Sequence, residues 1–161
     1  MYPDFSLSIQ YAVAAPSLPR WRLRRWVGRA LEFALAAPEP RAGHPVALGL
    51  RIVDTKEGRT LNATYRQRDY ATNVLTFEYG ENPDGLITGD IVLCLAVLER
   101  EAAEQHKPLL HHAAHLVTHG VLHALGWDHI DPAEAERMEA LETKILAAQH
   151  IPDPYRAGAA P

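Results

Sequence analysis

Three histidines in the C-terminal third of the chain have the spacing of a metal site. His119 and His123 are four residues apart, so on an α-helix their imidazoles lie on one face and can share one ion. Gly126 follows three residues after His123, and glycine is common just past a helix end because it adopts left-handed backbone angles without a Cβ clash. A turn there brings His129 back toward the same ion. The pattern predicts a zinc site with three ligands, His119, His123 and His129.

The ordinary alternative is that these are structural histidines. The chain has nine histidines in 161 residues, and a pair at helical spacing is by itself more often a surface or core pair than a ligand set. The glycine and the third histidine, at offsets of seven and ten from the first, favour the metal. Zinc hydrolases use the same arrangement: two ligands on a helix, a turn, and a third ligand on the chain that follows the turn.

The neighbouring histidines are predicted to lie off the metal. His115 shares the helical stripe, but it is eight residues, or ~12 Å along the helix axis, from His123. One ion with nitrogen bonds near ~2 Å cannot take both of them together with His119. We expect His115 behind the ligands or facing a substrate, or else as an ordinary core or surface histidine, and we expect His111 and His112 to be exposed.

Three protein ligands leave a fourth position open, which is typical of a catalytic zinc site. Zinc lowers the pKa of a bound water toward ~7 and polarises a carbonyl or phosphoryl oxygen, so the site predicts hydrolysis or a related transfer. Zinc proteases of this spacing carry a glutamate directly after the first histidine, where this chain has Gly120. Peptide hydrolysis by that route is therefore not expected. Asp128 could orient His129 or cap the loop.

Composition predicts one globular domain, residues 1–155, with a frayed tail over 156–161. The chain is 47% hydrophobic and 22% charged, which suits a single buried core.

The single cysteine, Cys94, lies in an apolar run and is expected to be a buried, inert thiol. We expect a cytoplasmic protein with no membrane contact, since no targeting segment or apolar run of ~20 residues is present. A net charge of −4 argues against indiscriminate nucleic-acid binding, so any contact with RNA should be confined to a local region of the surface.

Periodicity predicts alternating strands and helices. We predict strands over 5–13, 46–53, 71–77 and 86–93, and helices that begin near 18, 54, 95, 109 and 131. Asp54 with Glu57, and Asp131 with Glu134, form capping patterns at the starts of two helices. The first helix has a predicted core stripe, Leu23, Trp26, Val27, Ala30, Leu31 and Ala34. The last helix has another, Met138, Leu141, Ile145 and Ala148.

Some polar residues allow two interpretations. The first helix carries five arginines, which are by default a solvated surface: Arg20, Arg22, Arg24, Arg25 and Arg29. Because they cluster, a row of phosphate-binding groups is the alternative interpretation. Asp90, directly after Gly89, is favoured as a turn former over a residue that orients a ligand. Asn62 and Arg66 share a helical face, and a surface pair is the default.

Three blocks of the sequence resemble the YbeY family of bacterial rRNA maturation endoribonucleases. They are Asn62 to Phe77 (NATYRQRDYATNVLTF), Gly89 to Leu93 (GDIVL) and His119 to His129 (HGVLHALGWDH), followed by the helix with Met138 and Glu142. The blocks cover about half of the chain, and the first sixty residues match in pattern only. The last block is the most specific of the three.

The resemblance implies a single α+β domain with a mixed four-stranded sheet, about five helices and one Zn²⁺ per chain on the three predicted ligands. It implies a single-strand-specific endoribonuclease that acts in rRNA maturation, including the 16S rRNA 3′ end, and in ribosome quality control. Implied partners are single-stranded RNA, rRNA precursors, the small ribosomal subunit and its assembly factors. Arg66 matches the family's arginine, which implies a catalytic role for Arg66 together with His119. Asn73 stands where many members have aspartate, so it cannot be assigned a carboxylate's role.

Two other functions stay open at this level. One is a non-catalytic ribosome-assembly factor in which zinc stiffens the C-terminal half. The other is a metal hydrolase that acts on a different substrate. For RNA cleavage, the nucleophile could be a water activated by zinc or the RNA's own 2′-hydroxyl.

Overall fold

The computed structural model describes residues 4–36, 41–127 and 130–155. Its elements follow in the order β1 (Phe5–Tyr11), α1 (Arg20–Ala34), β2 (Val46–Val53), α2 (Thr55–Arg66), β3 (Val74–Glu81), β4 (Ile87–Cys94), α3 (Leu95–Glu104), α4 (Leu109–Ala124) and α5 (Pro132–Ala147). This is the predicted α+β domain. His129, Asp128 and the predicted tail, 156–161, lie outside the described residues.

The four strands form one mixed sheet in the order β1-β2-β4-β3. β1 pairs with β2 and β2 with β4 in parallel, whereas β3 pairs with β4 in the antiparallel sense. The mixed four-stranded sheet implied by the family resemblance is therefore confirmed. β1 and β3 are the two edges of the sheet, which places the N-terminal strand and the hairpin strand on opposite sides of the domain.

Helices α1, α4 and α5 share one hydrophobic core with one face of the sheet. The apolar stripe predicted for α1 is buried there, and its members are Leu23, Trp26, Val27, Ala30, Leu31 and Ala34. Helices α2 and α3 contribute to a smaller cluster that includes Val92, Cys94 and Val97. Cys94 is a buried free thiol, as expected. Among the described residues, no helix combines the length and apolar character needed to cross a membrane.

Local capping explains where two helices begin. The Asp54 side chain accepts a hydrogen bond from the Glu57 backbone N–H at 2.8 Å, and the Asp131 side chain accepts one from Glu134 at 2.8 Å. Each bond satisfies an otherwise unpaired backbone donor in the first helical turn. Both predicted caps are confirmed.

The hairpin differs from its predicted form. The strand predicted over 71–77 is observed as β3 from Val74 to Glu81, so it both begins and ends later than predicted. Asp90 lies inside β4 and accepts a hydrogen bond from the Tyr79 hydroxyl at 2.8 Å. The turn-former assignment of Asp90 is therefore wrong. The turn is made instead by Asn82, whose side-chain oxygen accepts hydrogen bonds from the N–H groups of Asp84 and Leu86, both at 3.0 Å.

The core side of α5 also differs in part. Met138 and Ile145 are buried and Leu141 packs against the core, whereas Ala148 is exposed. Because α5 ends at Ala147, Ala148 no longer follows the helical stripe. The buried position between Met138 and Ile145 is taken by a charged residue, Glu142.

Candidate metal centre

Helix α4 presents His119 and His123 side by side to a pocket of about 460 Å³. The Nε2 atoms of the two rings are 3.0 Å apart. Two nitrogens bound to one tetrahedral zinc ion at ordinary bond lengths would be about 3.3 Å apart. The pair therefore already has close to the spacing that a shared metal ion requires.

The third predicted ligand cannot be placed beside them, because His129 is outside the described residues. Within residues 4–36, 41–127 and 130–155, no three side chains of metal-binding type converge on one point. The preceding turn has the expected form: Gly126 has a φ of 97°, a left-handed conformation that favours glycine. The three-histidine set thus stays a prediction, supported by the spacing of its first two members.

A buried carboxylate from α5 holds the first histidine. Glu142 is 0% exposed, and its Oε2 lies 2.8 Å from Nδ1 of His119. A carboxylate only accepts hydrogen bonds, so Nδ1 is the donor and, in the neutral ring, Nε2 is the nitrogen without a proton. That tautomer directs a metal-binding lone pair toward His123. A carboxylate behind a metal-bound imidazole is a common arrangement in metalloproteins.

Glu142 also binds two further groups. Its Oε1 lies 2.9 Å from Nε2 of His115 and accepts a hydrogen bond from the Tyr155 hydroxyl. Burial would raise the pKa of Glu142, but the hydrogen bonds from His115 and His119 outweigh it and lower the pKa to about 2. Burial, and then the bond to Glu142, raise the pKa of Tyr155. The carboxylate is therefore ionised and the phenol protonated across the physiological range.

Two neighbouring histidines lie outside this pocket. His115 contacts the carboxylate that holds His119, which is one of the places expected for it. His112 was expected to be exposed, but it is only 4% exposed and its Nε2 lies 2.8 Å from Oε1 of Glu101. That expectation was wrong because α3 packs against α4 and supplies the carboxylate. Asn73 donates to the same oxygen at 3.0 Å.

Arg66 reaches the same pocket from the end of α2. Its Nη2 donates to the carbonyl oxygen of Thr76 at 2.8 Å, and its guanidinium lies 5.1 Å from the centre of the Phe77 ring. The sheet thus brings together an arginine and a histidine pair that are about fifty residues apart in sequence. The predicted surface pair with Asn62 is not formed: Asn62 is 1% exposed and donates to the Tyr70 carbonyl at 2.7 Å.

Gly120 lies on a different side of α4 from the histidine pair. A Cβ atom at residue 120 would be 2.9 Å from Cγ2 of Ile91, closer than packed carbon atoms approach. The helix therefore rests on β4 at this glycine. The position has no room for the glutamate that zinc proteases carry there, which agrees with the expectation against that route.

Sequence reasoning assigned no role to Glu142, although a signal was available. A glutamate within the apolar stripe of α5 is a charge at a core position, and buried carboxylates need partners. The four-residue step from Met138 and the three-residue step to Ile145 place Glu142 on the buried face. The partner histidines on α4 could not be identified without the packing of the two helices.

The fold and the pocket define a single-domain α+β protein with a histidine pair backed by a buried carboxylate. The chain belongs to the YbeY family: the family profile described as Endoribonuclease YbeY matches residues 9–150. A relative from Bordetella pertussis called Endoribonuclease YbeY is 63% identical over 158 residues, covering 98% of this chain and 99% of the relative. A relative of the same name from Thiobacillus denitrificans is 51% identical over 156 residues, covering 96% and 99%.

A solved structure has the same fold. The solution structure of TM1509 from Thermotoga maritima superposes with a TM-score of 0.57 over 93% of this chain and 99% of that one. The two sequences are 21% identical, so the likeness concerns the fold alone.

Proposed function

We propose that this protein is a metal-dependent endoribonuclease that cuts single-stranded RNA during rRNA maturation, including the 3′ end of 16S rRNA. Family membership and the names of the relatives support an RNA substrate. The single observation that carries the proposal is the pocket shared by Arg66, His119 and His123. A cytoplasmic location, and work on the small ribosomal subunit with its assembly factors in ribosome quality control, belong to the same proposal.

The described side chains fit a metal ion. His119 and His123 converge at Nε2, and Glu142 fixes the tautomer of His119 that such an ion needs. We propose that one Zn²⁺ per chain is held by these two histidines with His129. Zinc bound there would supply a Lewis acid for a phosphoryl oxygen.

Arg66 is positioned to hold the scissile phosphate. A guanidinium can grip phosphate oxygens through two parallel N–H bonds and stabilise the charge that develops during phosphoryl transfer. The ring of Phe77 supports the planar group from one side, which limits its rotation. The donor now directed to the Thr76 carbonyl becomes available to RNA if the side chain turns toward the histidines.

The pocket favours unpaired RNA. Its volume of about 460 Å³ is within the range of small-ligand sites, roughly 300–1,000 Å³. An unstacked nucleotide can be turned into such a space, whereas the bases of a duplex are held in the stack. Trp127, at the pocket wall, offers an aromatic surface to an unstacked base.

The direct test compares a labelled single-stranded RNA with its duplex form. We expect wild-type protein to cut the single strand, to lose this activity in chelator and to regain it on addition of zinc. His123→Ala should be inactive, whereas His111→Ala, on the same helix but outside the pocket, should cut normally. Cleavage in excess chelator, or equal cleavage of the duplex, would count against the proposal.

The cellular test separates catalysis from a binding role. We expect a folded His119→Ala protein to leave unprocessed 16S precursors in cells. Restored processing by this variant would mean that the protein serves assembly by binding alone.

A further inference from the structure

Positive charge is concentrated in one segment of this acidic chain. Residues 5–31 contain five arginines and no aspartate or glutamate, which leaves 11 basic and 20 acidic residues in the rest of the chain. The segment spans β1, the following loop and most of α1. A net charge of −4 for the whole protein therefore conceals a strongly basic region.

Four of these arginines form one surface, here called the arginine surface: Arg20, Arg22, Arg24 and Arg25. The buried stripe of α1 faces the core, so the arginines lie on its other sides. Arg20, Arg24 and Arg25 are exposed and Arg22 is partly buried. The fifth, Arg29, pairs with Glu32 at 3.0 Å and is not included.

Aromatic rings hold three of the four guanidinium groups. Arg20 lies 5.3 Å from the ring centre of Tyr11, Arg22 4.5 Å from that of Trp21, and Arg24 4.5 Å from that of Phe5. A guanidinium stacked on a ring keeps N–H donors at its edges, and less side-chain entropy is lost when it binds an anion. The groups are thus ordered before any ligand arrives.

Within the described residues, acidic side chains leave the charge of the arginine surface unbalanced. Throughout the part of the chain that the structure describes, none of the four arginines forms an ion pair with an aspartate or glutamate. The hydrogen bond from Arg20 is to a backbone carbonyl, that of Ile9, at 2.9 Å. A solvated face is usually balanced by carboxylates of the opposite sign, and none of the described carboxylates is paired with these four arginines.

The arginine surface is separate from the metal pocket. Two of its three aromatic supports, Phe5 and Tyr11, lie on β1, whereas the pocket is lined by Val74, Thr76 and Glu78 of β3 at the opposite sheet edge. Three inter-strand spacings, about 14 Å, separate these edges. One nucleotide cannot contact both places, but a longer RNA can.

We propose that the arginine surface is a second phosphate-binding site that holds the RNA backbone away from the cleavage point. The inference rests on the proposed function only for the identity of the polyanion. An arginine guanidinium can donate two parallel N–H hydrogen bonds to the oxygens of one phosphate. Contacts of this kind to the RNA backbone do not depend on the base sequence. The surface should therefore add affinity for long RNA without changing the choice of the scissile bond.

The test measures RNA binding in chelator, where cleavage is blocked, and uses charge-matched variants. We expect Arg24→Gln/Arg25→Gln to bind an RNA of about 30 nucleotides roughly tenfold more weakly near ~0.1 M salt. The slope of log affinity against log salt should fall in size by about 1.4, since each lost contact to a single strand removes about 0.7. Lys56→Gln/Arg100→Gln, with the same loss of charge on exposed residues elsewhere, should bind like wild type.

Length and charge supply two further readouts. An oligomer of about 2 nucleotides, too short to span the about 14 Å between the two sheet edges, should be bound and cut equally by wild type and Arg24→Gln/Arg25→Gln. Arg24→Lys/Arg25→Lys should restore most of the salt slope because the charges return. Thermal unfolding of each variant verifies that the fold is intact.

The outcomes separate this inference from the proposed function. Unchanged affinity of Arg24→Gln/Arg25→Gln for long RNA, as expected if the surface faced an acidic protein instead, would overturn the second site. Equal weakening by Lys56→Gln/Arg100→Gln would overturn it too, because net charge alone would then explain the effect. Failure of every protein to cut the short oligomer would count against the proposed function, while the binding comparison would still decide the arginine surface.

Discussion

Oε2 of Glu142 lies 2.8 Å from Nδ1 of His119, across the contact between α5 and α4. This bond links the core of the domain to the candidate metal centre. The carboxylate is buried and ionised, and it fixes which nitrogen of His119 faces the pocket. Packing of the last helix and metal binding should therefore be coupled.

Glu142→Gln should weaken zinc binding by about 10- to 100-fold, the usual effect of removing a carboxylate behind a metal ligand. An amide accepts hydrogen bonds at one oxygen only, so it cannot serve His115 and His119 together. Competition with a chromophoric chelator measures the affinity. Glu139→Gln, exposed on the same helix, is the control and should bind zinc like wild type. Equal zinc affinity of the two variants would contradict the coupling.

Arg66→Ala should lower the cleavage rate constant by about 10²–10³-fold, in line with loss of one group that stabilises transition-state charge. Zinc content should stay that of wild type, because within the described residues Arg66 donates to the carbonyls of Tyr65 and Thr76 and not to His119 or His123. Arg66→Lys should recover only part of the rate, since lysine lacks the bidentate fork. Single-turnover kinetics and metal analysis check this. Arg68→Ala is the neighbouring control, and loss of zinc in Arg66→Ala would refute the assigned role.

Gly120→Ala should destabilise the fold. The added Cβ would be 2.9 Å from Cγ2 of the buried Ile91, and overpacking of this kind costs about 1–3 kcal/mol. Alanine has a better helix propensity than glycine, which offsets about 1 kcal/mol of this cost. We therefore expect a net loss of up to about 2 kcal/mol in the free energy of unfolding. Denaturant titration measures it. The substitution should be less harmful in an Ile91→Ala background, and a loss of the same size there would show that this contact is not the cause.

His112 should make stability depend on pH. Burial lowers the pKa of His112 despite its bond to Glu101, so the unfolded chain takes up a proton more readily than the folded one. The free energy of unfolding should therefore fall as pH drops below about 6.5, the unfolded value. His112→Gln keeps a donor for Glu101 and should remove this part of the dependence. Parallel curves for wild type and variant between about pH 8 and pH 5 would contradict the effect.

Much of the fold could be predicted because its signals are local. The capping residues Asp54 and Asp131 and the apolar stripe of α1 each depend on a few neighbouring positions, and all are confirmed. Asp90 was misassigned because Gly89 and Asp90 are typical turn residues, although the strand predicted over 86–93 already contained both, and the pairing with β3 shows that they lie within the strand. Local sequence carries no information about that register.

The residues of the candidate site also fall into two groups, those that the sequence predicts and those that depend on tertiary packing. The histidine pair follows from helical spacing, and Arg66 from the family resemblance. The carboxylates that bind the α4 histidines come from other helices: Glu101 on α3 holds His112, and Glu142 on α5 holds His119. Such contacts depend on helix packing. For this reason the sequence predicted an exposed His112 and indicated no role for Glu142.

The most direct measurement is a titration of metal-free protein with zinc, followed by single-turnover cleavage of a labelled single-stranded RNA at each step. We expect cleavage to rise in proportion to added zinc and to level off at one equivalent per chain, with no rise for His119→Ala. Full cleavage by the metal-free protein, or a normal titration of His119→Ala, would contradict metal-dependent RNA cleavage at this pocket.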